Sequence, residues 1–131
     1  MEDNFKLQII SPEKIVFSGD SKMVTIPSYE GDMSLLINHI SIITFLRPGI
    51  IKAQTTGENL INFFVQDGTV EYFNGSLIIL SASAMNVKDL SKEFLDDLFI
   101  NTEKKLDDKD LSDHDRYVLS HKLDTIREVR V

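Results

Sequence analysis

Apolar and polar residues alternate in short runs through the first two thirds of the chain, and turn residues separate the runs. Phe5, Leu7 and Ile9 alternate with Lys6 and Gln8, which is the period of a half-buried strand. Turn signals recur roughly every 7 to 12 residues, the spacing of an antiparallel β-sandwich or barrel. The predicted strands cover residues 5–10, 14–17, 23–26, 35–37, 40–46, 50–54, 60–66, 69–73 and 77–83.

Two dipeptides in this segment are strong hairpin signals. Asp67-Gly68 and Asn74-Gly75 each separate two strand-like runs, and both types of dipeptide readily adopt the positive φ of a tight hairpin turn. The pattern therefore predicts that the last three strands form a continuous antiparallel meander.

The hydrophobic period changes after residue 90. All six glycines and all three prolines lie before residue 76, so the remainder of the chain contains no helix breaker. Ser91 can cap one helix, and Ser112 with Asp115 forms the acidic version of a capping box for a second. The pattern predicts a β + α protein, with a β-sandwich domain at 1–86 and an antiparallel helical hairpin domain at 87–131. The apolar stripes of the two helices are Phe94, Leu95, Leu98, Phe99 and Leu106, then Leu111, Val118, Leu119, Leu123, Ile126 and Val129.

Composition narrows the classes of function. The chain has 131 residues and a net charge of −7, which argues against binding a phosphate backbone. It contains no cysteine, so a disulfide framework and a thiolate metal site are excluded. The acidic start at residues 1–4 has no apolar core of a signal peptide, and no apolar run approaches the roughly 18 residues of a membrane span.

No catalytic motif stands out, so no catalytic residue, metal site or cofactor site is predicted. The three histidines are His39, His114 and His121, and the last two lie seven residues apart on the predicted second helix. That spacing favours solvated or packing side chains over a metal chelate. Glu30 and Asp32 form a carboxylate pair, for which hydrogen bonds to the nearby turn backbone are the favoured interpretation.

Three arginines follow one border of the second helix's apolar stripe. Arg116, Arg127 and Arg130 are interpreted either as a solvated edge or as a surface that docks against an acidic partner.

Several separated motifs occur in the order found in one family. The stretch from Pro27 to His39 contains Glu30-Gly31-Asp32-Met33, and it resembles the central signature of the epsilon subunit of bacterial F-type ATP synthase, the equivalent of the mitochondrial delta subunit. The resemblance covers nearly the whole chain. The other motifs that carry it are residues 5–10 with Pro12-Glu13, Phe17-Ser18-Gly19, Val24-Thr25-Ile26-Pro27, Leu36, Leu46-Arg47-Pro48-Gly49, Phe64-Val65, Gly68, Val70-Glu71, Leu80, Ala82 and Ala84.

The chain departs from the family pattern at several positions. Ser34 and Ile37 replace a usual glycine and proline, and Asp67 replaces the first of two glycines. Many bacterial members carry Ile or Leu, Asp, two variable residues, Arg and Ala in a motif linked to ATP binding. Here Ser91 and Phe94 stand at the Asp and Arg positions, so no guanidinium is available there to hold phosphate. We expect weak or absent ATP binding and no cofactor.

The resemblance implies a non-catalytic rotor subunit in the central stalk of ATP synthase, which couples proton-driven c-ring rotation to ATP synthesis. It implies a peripheral location at the cytoplasmic face of the cell inner membrane. The expected partners are the gamma subunit, the c-ring and the alpha/beta catalytic head. Glu30, Gly31, Asp32 and His39 would face the c-ring and gamma.

The resemblance also implies that the hairpin is movable. An extended hairpin would inhibit ATP hydrolysis, and Arg116, Arg127 and Arg130 would then face the beta subunit. The alternative hypothesis is a free-standing β-sandwich that binds a small ligand under a helical lid, which requires a pocket with converging polar groups.

Overall fold

The computed structural model describes residues 4–130. Residues 1–3, which hold most of the predicted acidic start, and residue 131, the end of the predicted helical domain, lie outside the described residues. Within the described range the elements are β1 Phe5–Ile10, β2 Ile15–Ser28, β3 Gly31–Leu36, β4 Ile42–Leu46, β5 Gly49–Thr55, β6 Leu60–Val65, β7 Gly68–Phe73, β8 Ser76–Leu80, β9 Met85–Asn86, α1 Lys92–Leu106 and α2 Asp113–Val129.

The strands form the predicted β-sandwich, and β2 takes part in both layers. One layer has the order β3-β2-β5-β6-β9, and the other has β1-β8-β7-β4. The first half of β2 pairs with β1, while its second half pairs with β3 and β5. Alternate residues of both layers point inward to one core. Its fully buried members include Leu7, Ile9, Ile26, Leu35, Ile51, Phe63, Tyr72, Leu77 and Ile79.

The predicted break at Ser18-Gly19 is wrong, because residues 14–17 and 23–26 belong to one strand. Gln8 pairs with Ser18 and Leu7 with Gly19, so β1 carries the ladder across the turn-like dipeptide. The irregularity in β2 falls later, between Ser21 and Met23 in the pairing with β5. The partner strand supplies hydrogen bonds that local turn propensity does not anticipate.

The predicted meander of the last three strands is also wrong in its first half. Strand β6 pairs with β5 and β9, whereas β7 pairs with β4 and β8, so Asp67-Gly68 connects the two layers. The Asp67 carbonyl accepts a hydrogen bond from Ser81 Oγ at 2.7 Å, and the Gln66 N–H donates to Ser83 Oγ at 2.9 Å. The connection from β6 to β7, which passes from one layer to the other, is thus stabilised by hydrogen bonds to the segment that follows β8.

The second predicted turn is confirmed. Asn74 and Gly75 have φ values of 51° and 78°, and they join β7 to β8 as a two-residue hairpin turn.

The two predicted helices and both of their caps are confirmed. Ser91 Oγ accepts from the Phe94 N–H, and Ser112 Oγ accepts from the Asp115 N–H, each at 3.0 Å. The helices form a hairpin in which α2 contacts β5. Phe64 is fully buried yet lies outside the sandwich core, and its cross-strand partner is Ile50. The hairpin therefore covers the outer face of the β5–β6 layer.

Candidate functional site

The turn between β2 and β3 brings the sandwich into contact with the helical hairpin. Tyr29 and Glu30 form a two-residue connection between paired Ser28 and Gly31. Ser28 Oγ donates a hydrogen bond to the Gly31 carbonyl, and Gly31 has a φ of 121°, which favours glycine. The turn leaves the Tyr29 ring projecting from the sandwich toward α2.

Two aromatic side chains from α2 pack against this turn residue. The Tyr29 ring lies 5.9 Å from the rings of His114 and Tyr117, with interplanar angles of 22° and 21°. The Tyr117 hydroxyl donates to the Tyr29 carbonyl at 3.0 Å, and the His121 ring meets the Tyr117 ring edge-on at 4.4 Å. We call these four residues, Tyr29, His114, Tyr117 and His121, the docking cluster.

A largely buried arginine lies beside the docking cluster. Arg47 Nη2 donates to Asp32 Oδ1 at 3.2 Å and Arg47 Nη1 donates to the Pro48 carbonyl at 2.9 Å. The Arg47 side chain is 14% exposed, so its charge is poorly screened by solvent. The Arg47 backbone N–H also donates to the Pro27 carbonyl at 3.0 Å, which ties two motifs of the sequence together.

The position of His121 lowers the pKa of its imidazole ring. Burial lowers the pKa of His121 below its ordinary value of 6.5, and the positive charge of Arg47 lowers this pKa further. Asp124 and Asp32 act in the opposite direction, but they do not cancel the shift. The interface between α2 and the sandwich therefore favours a neutral imidazole.

The residues predicted to face the c-ring and gamma lie in two separate places. Glu30, Gly31 and Asp32 lie at the start of β3, whereas His39 follows its end, and a six-residue strand spans about 17 Å. The His39 N–H donates to the Leu36 carbonyl at 3.2 Å, and the His39 ring meets the Tyr72 ring edge-on at 5.7 Å. The structure does not bring the predicted set together as one cluster.

The three arginines of α2 make contacts within the hairpin. Arg130 lies 4.0 Å above the Phe99 ring and 3.5 Å from Asp96 Oδ1, and Arg127 lies 3.7 Å from Asp124 Oδ1. Arg116 Nη1 and Nη2 each lie 3.4 Å from a backbone carbonyl at the carboxyl end of α1 or in the loop that follows it. Arg116 and Arg130 thus brace α1 against α2 in this conformation, and Arg127 also lies 5.7 Å from the centre of the Phe99 ring on α1.

A second surface, which the sequence analysis missed, lies on the opposite side of the sandwich. The outward positions of the β1-β8-β7-β4 layer include six large apolar side chains, and the largest of these are exposed. The other outward positions are Lys6, Gln8, Thr69, Glu71 and Ser76. Phe45 pairs with Thr69, which pairs with Leu80, which pairs with Ile10, so these outward positions form a row across four strands. We call this surface the open face. Its most exposed large side chains are Ile43, Phe45, Phe73 and Leu80, at 67%, 60%, 62% and 51%.

The two pieces of the central signature flank this open face. Ser28 pairs with Leu46, which places the Tyr29-Glu30 turn near Phe45. At the other end, His39 lies just before β4 and packs on the ring of Tyr72, which faces the core, and the neighbouring Ile40 is 79% exposed. The sequence signal for this surface was the apolar residues at every second position of β4 and β7. That signal indicates an exposed apolar face only when it is known which positions point to the core.

The described residues contain no side-chain arrangement typical of a metal site. Across residues 4–130 no group of three or more His, Cys, Asp or Glu side chains converges on one point. His114 and His121 instead belong to the docking cluster. At the start of α1, Ser91 caps the Phe94 N–H and the Phe94 side chain is partly exposed, so the positions of the family's ATP motif hold a self-capped helix end.

Comparisons with known proteins agree on one family. Residues 4–87 match the family model described as ATP synthase, Delta/Epsilon chain, beta-sandwich domain. The chain is 39% identical to the ATP synthase epsilon chain of Pelagibacter ubique (strain HTCC1062), over 97% of this chain and 98% of that one. It is 34% identical to the ATP synthase epsilon chain of Parvibaculum lavamentivorans, over 99% of this chain and 98% of that one.

Solved structures share the fold at low sequence identity. A chain in the Euglena gracilis mitochondrial ATP synthase (OSCP/F1/c-ring, rotational state 1) superposes with a TM-score of 0.75 and 17% identity, over 97% of this chain and 79% of that chain. A chain in the Tetrahymena thermophila mitochondrial ATP synthase (central stalk/c-ring) gives a TM-score of 0.64 and 13% identity, over 96% of both chains.

Proposed function

This chain belongs to the ATP synthase delta/epsilon chain family, and on that premise we propose that it is the non-catalytic epsilon subunit of the central stalk, which couples c-ring rotation to ATP synthesis. The proposal is supported by full-length relatives named as epsilon chains and by the shared fold of chains in central stalk and c-ring assemblies. Its partners are then the gamma subunit, the c-ring and the alpha/beta catalytic head.

The open face carries the proposed docking to the rotor shaft. Large apolar side chains that are exposed together on one face mark interaction sites, and on the open face Thr69 and Glu71 lie among them. Phe45 and Phe73 lie on the neighbouring antiparallel strands β4 and β7 of the open face. Their side chains are 60% and 62% exposed, respectively. Burial of both rings against gamma would remove them from water and stabilise the complex.

The test measures binding of the full chain to purified gamma subunit. Phe45→Ser with Phe73→Ser weakens binding at least tenfold, which corresponds to about 1.4 kcal/mol or more. Leu60→Ser serves as the matched control, because Leu60 is 67% exposed but lies on β6 in the other layer. Equal affinity of the double variant and the control would contradict docking through the open face.

We propose that the c-ring contacts the residues that the sequence indicated for this role, which are Glu30, Gly31, Asp32 and His39. Two groups of residues flank the open face at its two ends: Glu30, Gly31 and Asp32 at one end, and His39 at the other. A gamma subunit bound to the open face would bring the c-ring close to these residues. His39 is followed by Ile40, which is 79% exposed and unburied by the helices. Loss of ATP-driven proton pumping at an unchanged ATPase rate, after His39→Ala with Ile40→Ser, would support this contact; full pumping would oppose it.

The sandwich at 1–86 and the hairpin at 87–131 are proposed as separate units with a movable junction. Asn86 caps the short turn Val87–Asp89, which separates β9 from α1. An extended hairpin would release Arg116, Arg127 and Arg130 to face acidic residues of the beta subunit and inhibit ATP hydrolysis.

Truncation tests this inhibitory role. The chain should end after Asp89 and not after Ala84, because Met85 and Asn86 pair with β6 and stabilise the sandwich edge. Faster ATP hydrolysis by the assembled complex with the truncated chain supports inhibition by the hairpin. Unchanged hydrolysis under all conditions overturns it and leaves the stalk assignment intact.

Attachment to the membrane is proposed to be peripheral and indirect, at the cytoplasmic face of the cell inner membrane. No helix within residues 4–130 is long and apolar enough to cross a bilayer. The chain should therefore sediment with membranes only while the complex is assembled. A free-standing ligand-binding sandwich would stay in the supernatant in both conditions.

A further inference from the structure

We propose that the helical hairpin and the open face together form one binding groove, which takes a basic side chain of the gamma subunit. The groove extends the proposed docking of gamma to the open face, on which this inference rests, and adds a contact with the hairpin. Gamma therefore binds the chain more tightly while the hairpin is docked. We call this surface the joint groove, and its lining residues are Tyr29, Phe45, Leu46, Asp67, Gly68 and His114.

The joint groove lies where the hairpin meets the edge of the open face. His114 comes from the first turn of α2, and its ring stacks on the Tyr29 ring at 5.9 Å. Phe45 comes from β4, the last strand of the open-face layer, and its side chain is 60% exposed. Both side chains line the same cavity, although one belongs to the hairpin and the other to the sandwich. The groove is therefore complete only while α2 lies against the β2–β3 turn.

The joint groove has room for one large side chain. Its volume is about 330 Å³, which is at the lower end of the range for ligand pockets. Leu46 in the lining is buried, and the rings of Tyr29, Phe45 and His114 are exposed around it. Because apolar carbon and aromatic faces make up most of this lining, an occupant with an apolar stem gains more from entering than a fully polar group does.

The charge around the joint groove selects the chemistry of the end of that stem. Asp67 lines the groove and is exposed, and the exposed residues Glu30, Asp113 and Asp115 directly adjoin lining residues in the sequence. Arg47 also adjoins the lining, but its charge is already paired with a carboxylate at 3.2 Å. A lysine or arginine side chain fits both features, since its stem packs on the rings while its charge lies near the carboxylates.

Contact with both parts couples the binding of gamma to the position of the hairpin. If α2 leaves the β2–β3 turn, His114 leaves the groove, whereas Phe45 and Asp67 remain on the sandwich. The coupling is reciprocal, so bound gamma strengthens docking of the hairpin by the same factor by which the docked hairpin strengthens gamma binding. This contribution adds to the burial of Phe64 under the hairpin, and it does not require the hairpin to be loosely held.

The first test measures binding of full-chain variants to purified gamma subunit. His114→Ala removes one wall of the joint groove and should weaken binding by about fivefold. Tyr117→Phe is the matched control, because it removes the hydrogen bond to the Tyr29 carbonyl while Tyr117 is not part of the lining. Its affinity for gamma should stay within about twofold of the parent.

A double-mutant cycle shows whether the hairpin and the open face hold the same side chain of gamma. Phe45→Ser and His114→Ala should together weaken binding by less than the product of their separate effects, because both remove contacts with one occupant. Leu80→Ser with His114→Ala is the control cycle, since Leu80 is 51% exposed on the same face but lies two strands away from Phe45. The effects of that control pair should multiply.

The salt dependence of binding tests the charge of the occupant. Asp67→Asn keeps the size of the side chain, and the backbone carbonyl that accepts the hydrogen bond from Ser81 Oγ is unchanged. This variant should bind gamma about threefold more weakly at low ionic strength and nearly as well as the parent at about 1 M salt, where an exposed ion pair is screened. Parent-like binding at low ionic strength would overturn the basic occupant.

The outcomes separate the joint groove from the proposed docking. If Phe45→Ser with Phe73→Ser binds gamma as the parent does, docking to the open face fails and the joint groove fails with it. If that double variant binds weakly but His114→Ala binds as the parent does, the docking stands and the joint groove is overturned. Equal losses in Tyr117→Phe and His114→Ala, or multiplying effects of Phe45→Ser and His114→Ala, also overturn it.

Discussion

Gly49 illustrates how one residue type is dictated by a contact between two distant motifs. A Cβ at Gly49 would lie 2.5 Å from Cβ of Pro27, which is closer than real carbon atoms approach. The same short stretch places Arg47 against Asp32 and beside the docking cluster. Glycine at this position therefore permits the close approach that positions the arginine.

Gly49→Ala should destabilise the chain by about 3 kcal/mol, because neither the proline ring nor the strand backbone can move away cheaply. Gly57→Ala is the control, since its new Cβ would meet nothing closer than 3.7 Å and its cost of about 1 kcal/mol comes only from the positive φ. Urea unfolding of both variants checks the difference, and equal losses would contradict the steric argument.

Each helix of the hairpin depends on a serine at its start. Ser112 Oγ accepts the Asp115 N–H at 3.0 Å and so satisfies one of the backbone donors that the first turn of α2 leaves unpaired. This turn also carries His114 into contact with Tyr29. A weaker cap should therefore loosen the docking cluster as well as the helix end.

Ser112→Ala should reduce the stability of α2 by about 1 kcal/mol through loss of that hydrogen bond. Ser120→Ala, at an exposed position inside the same helix, should leave stability equal or slightly higher because alanine favours helix. Amide hydrogen exchange along α2 measures both effects. Faster exchange at residues 113–117 is expected only in the first variant.

The start of α1 should not hold nucleotide. Ser91 uses its hydroxyl to cap the Phe94 N–H, and the position of the family's arginine is occupied by an aromatic ring. We expect no change in the NMR spectrum around residues 90–95 when ATP and magnesium are added to millimolar concentration. Saturable shifts at these residues would contradict the prediction.

The whole molecule has two different surfaces on the two sides of one sandwich. The helical hairpin covers the β5–β6 side, where Phe64 is buried, and the opposite side exposes the phenylalanines of the open face. Without a partner this open face remains in contact with water, which is unfavourable for rings of that size.

The isolated chain should therefore self-associate as its concentration rises, through the open face. Phe45→Ser with Phe73→Ser should remove this association and leave the unfolding midpoint nearly unchanged, because both rings are mostly exposed. Sedimentation equilibrium provides the measurement. Association that persists in the double variant, or that Leu60→Ser also removes, would place the contact elsewhere.

The local pattern was sufficient for several particular elements. Alternation of Phe5, Leu7 and Ile9 predicted β1, the Asn74-Gly75 dipeptide predicted its hairpin, and Ser91 and Ser112 marked the helix starts. Each of these depends on residues within a few positions of one another. The order of motifs along the chain was likewise enough to indicate the family.

The same reasoning failed where distant strands compete. Asp67-Gly68 has the local preference of a hairpin turn, yet both edges of β6 are paired, with β5 and β9, and both edges of β7 are paired, with β4 and β8. A continuous hairpin would displace one partner of each strand. Ser18-Gly19 resembles a strand end, yet β1 extends the ladder through it. Turn propensity is a small term compared with the burial of a complete strand, so the larger non-local term decides.

On its own, the amino-acid sequence determined most of the strands, both helices and their caps, the β + α class and the family. The pairing of β6, the continuity of β2, the open face and the meeting of Tyr29 with His114, Tyr117 and His121 depend on the assembled fold. The physical reason is that periodicity and capping are properties of neighbouring residues, whereas a surface or a contact cluster exists only after strands far apart in sequence have paired and buried their common core.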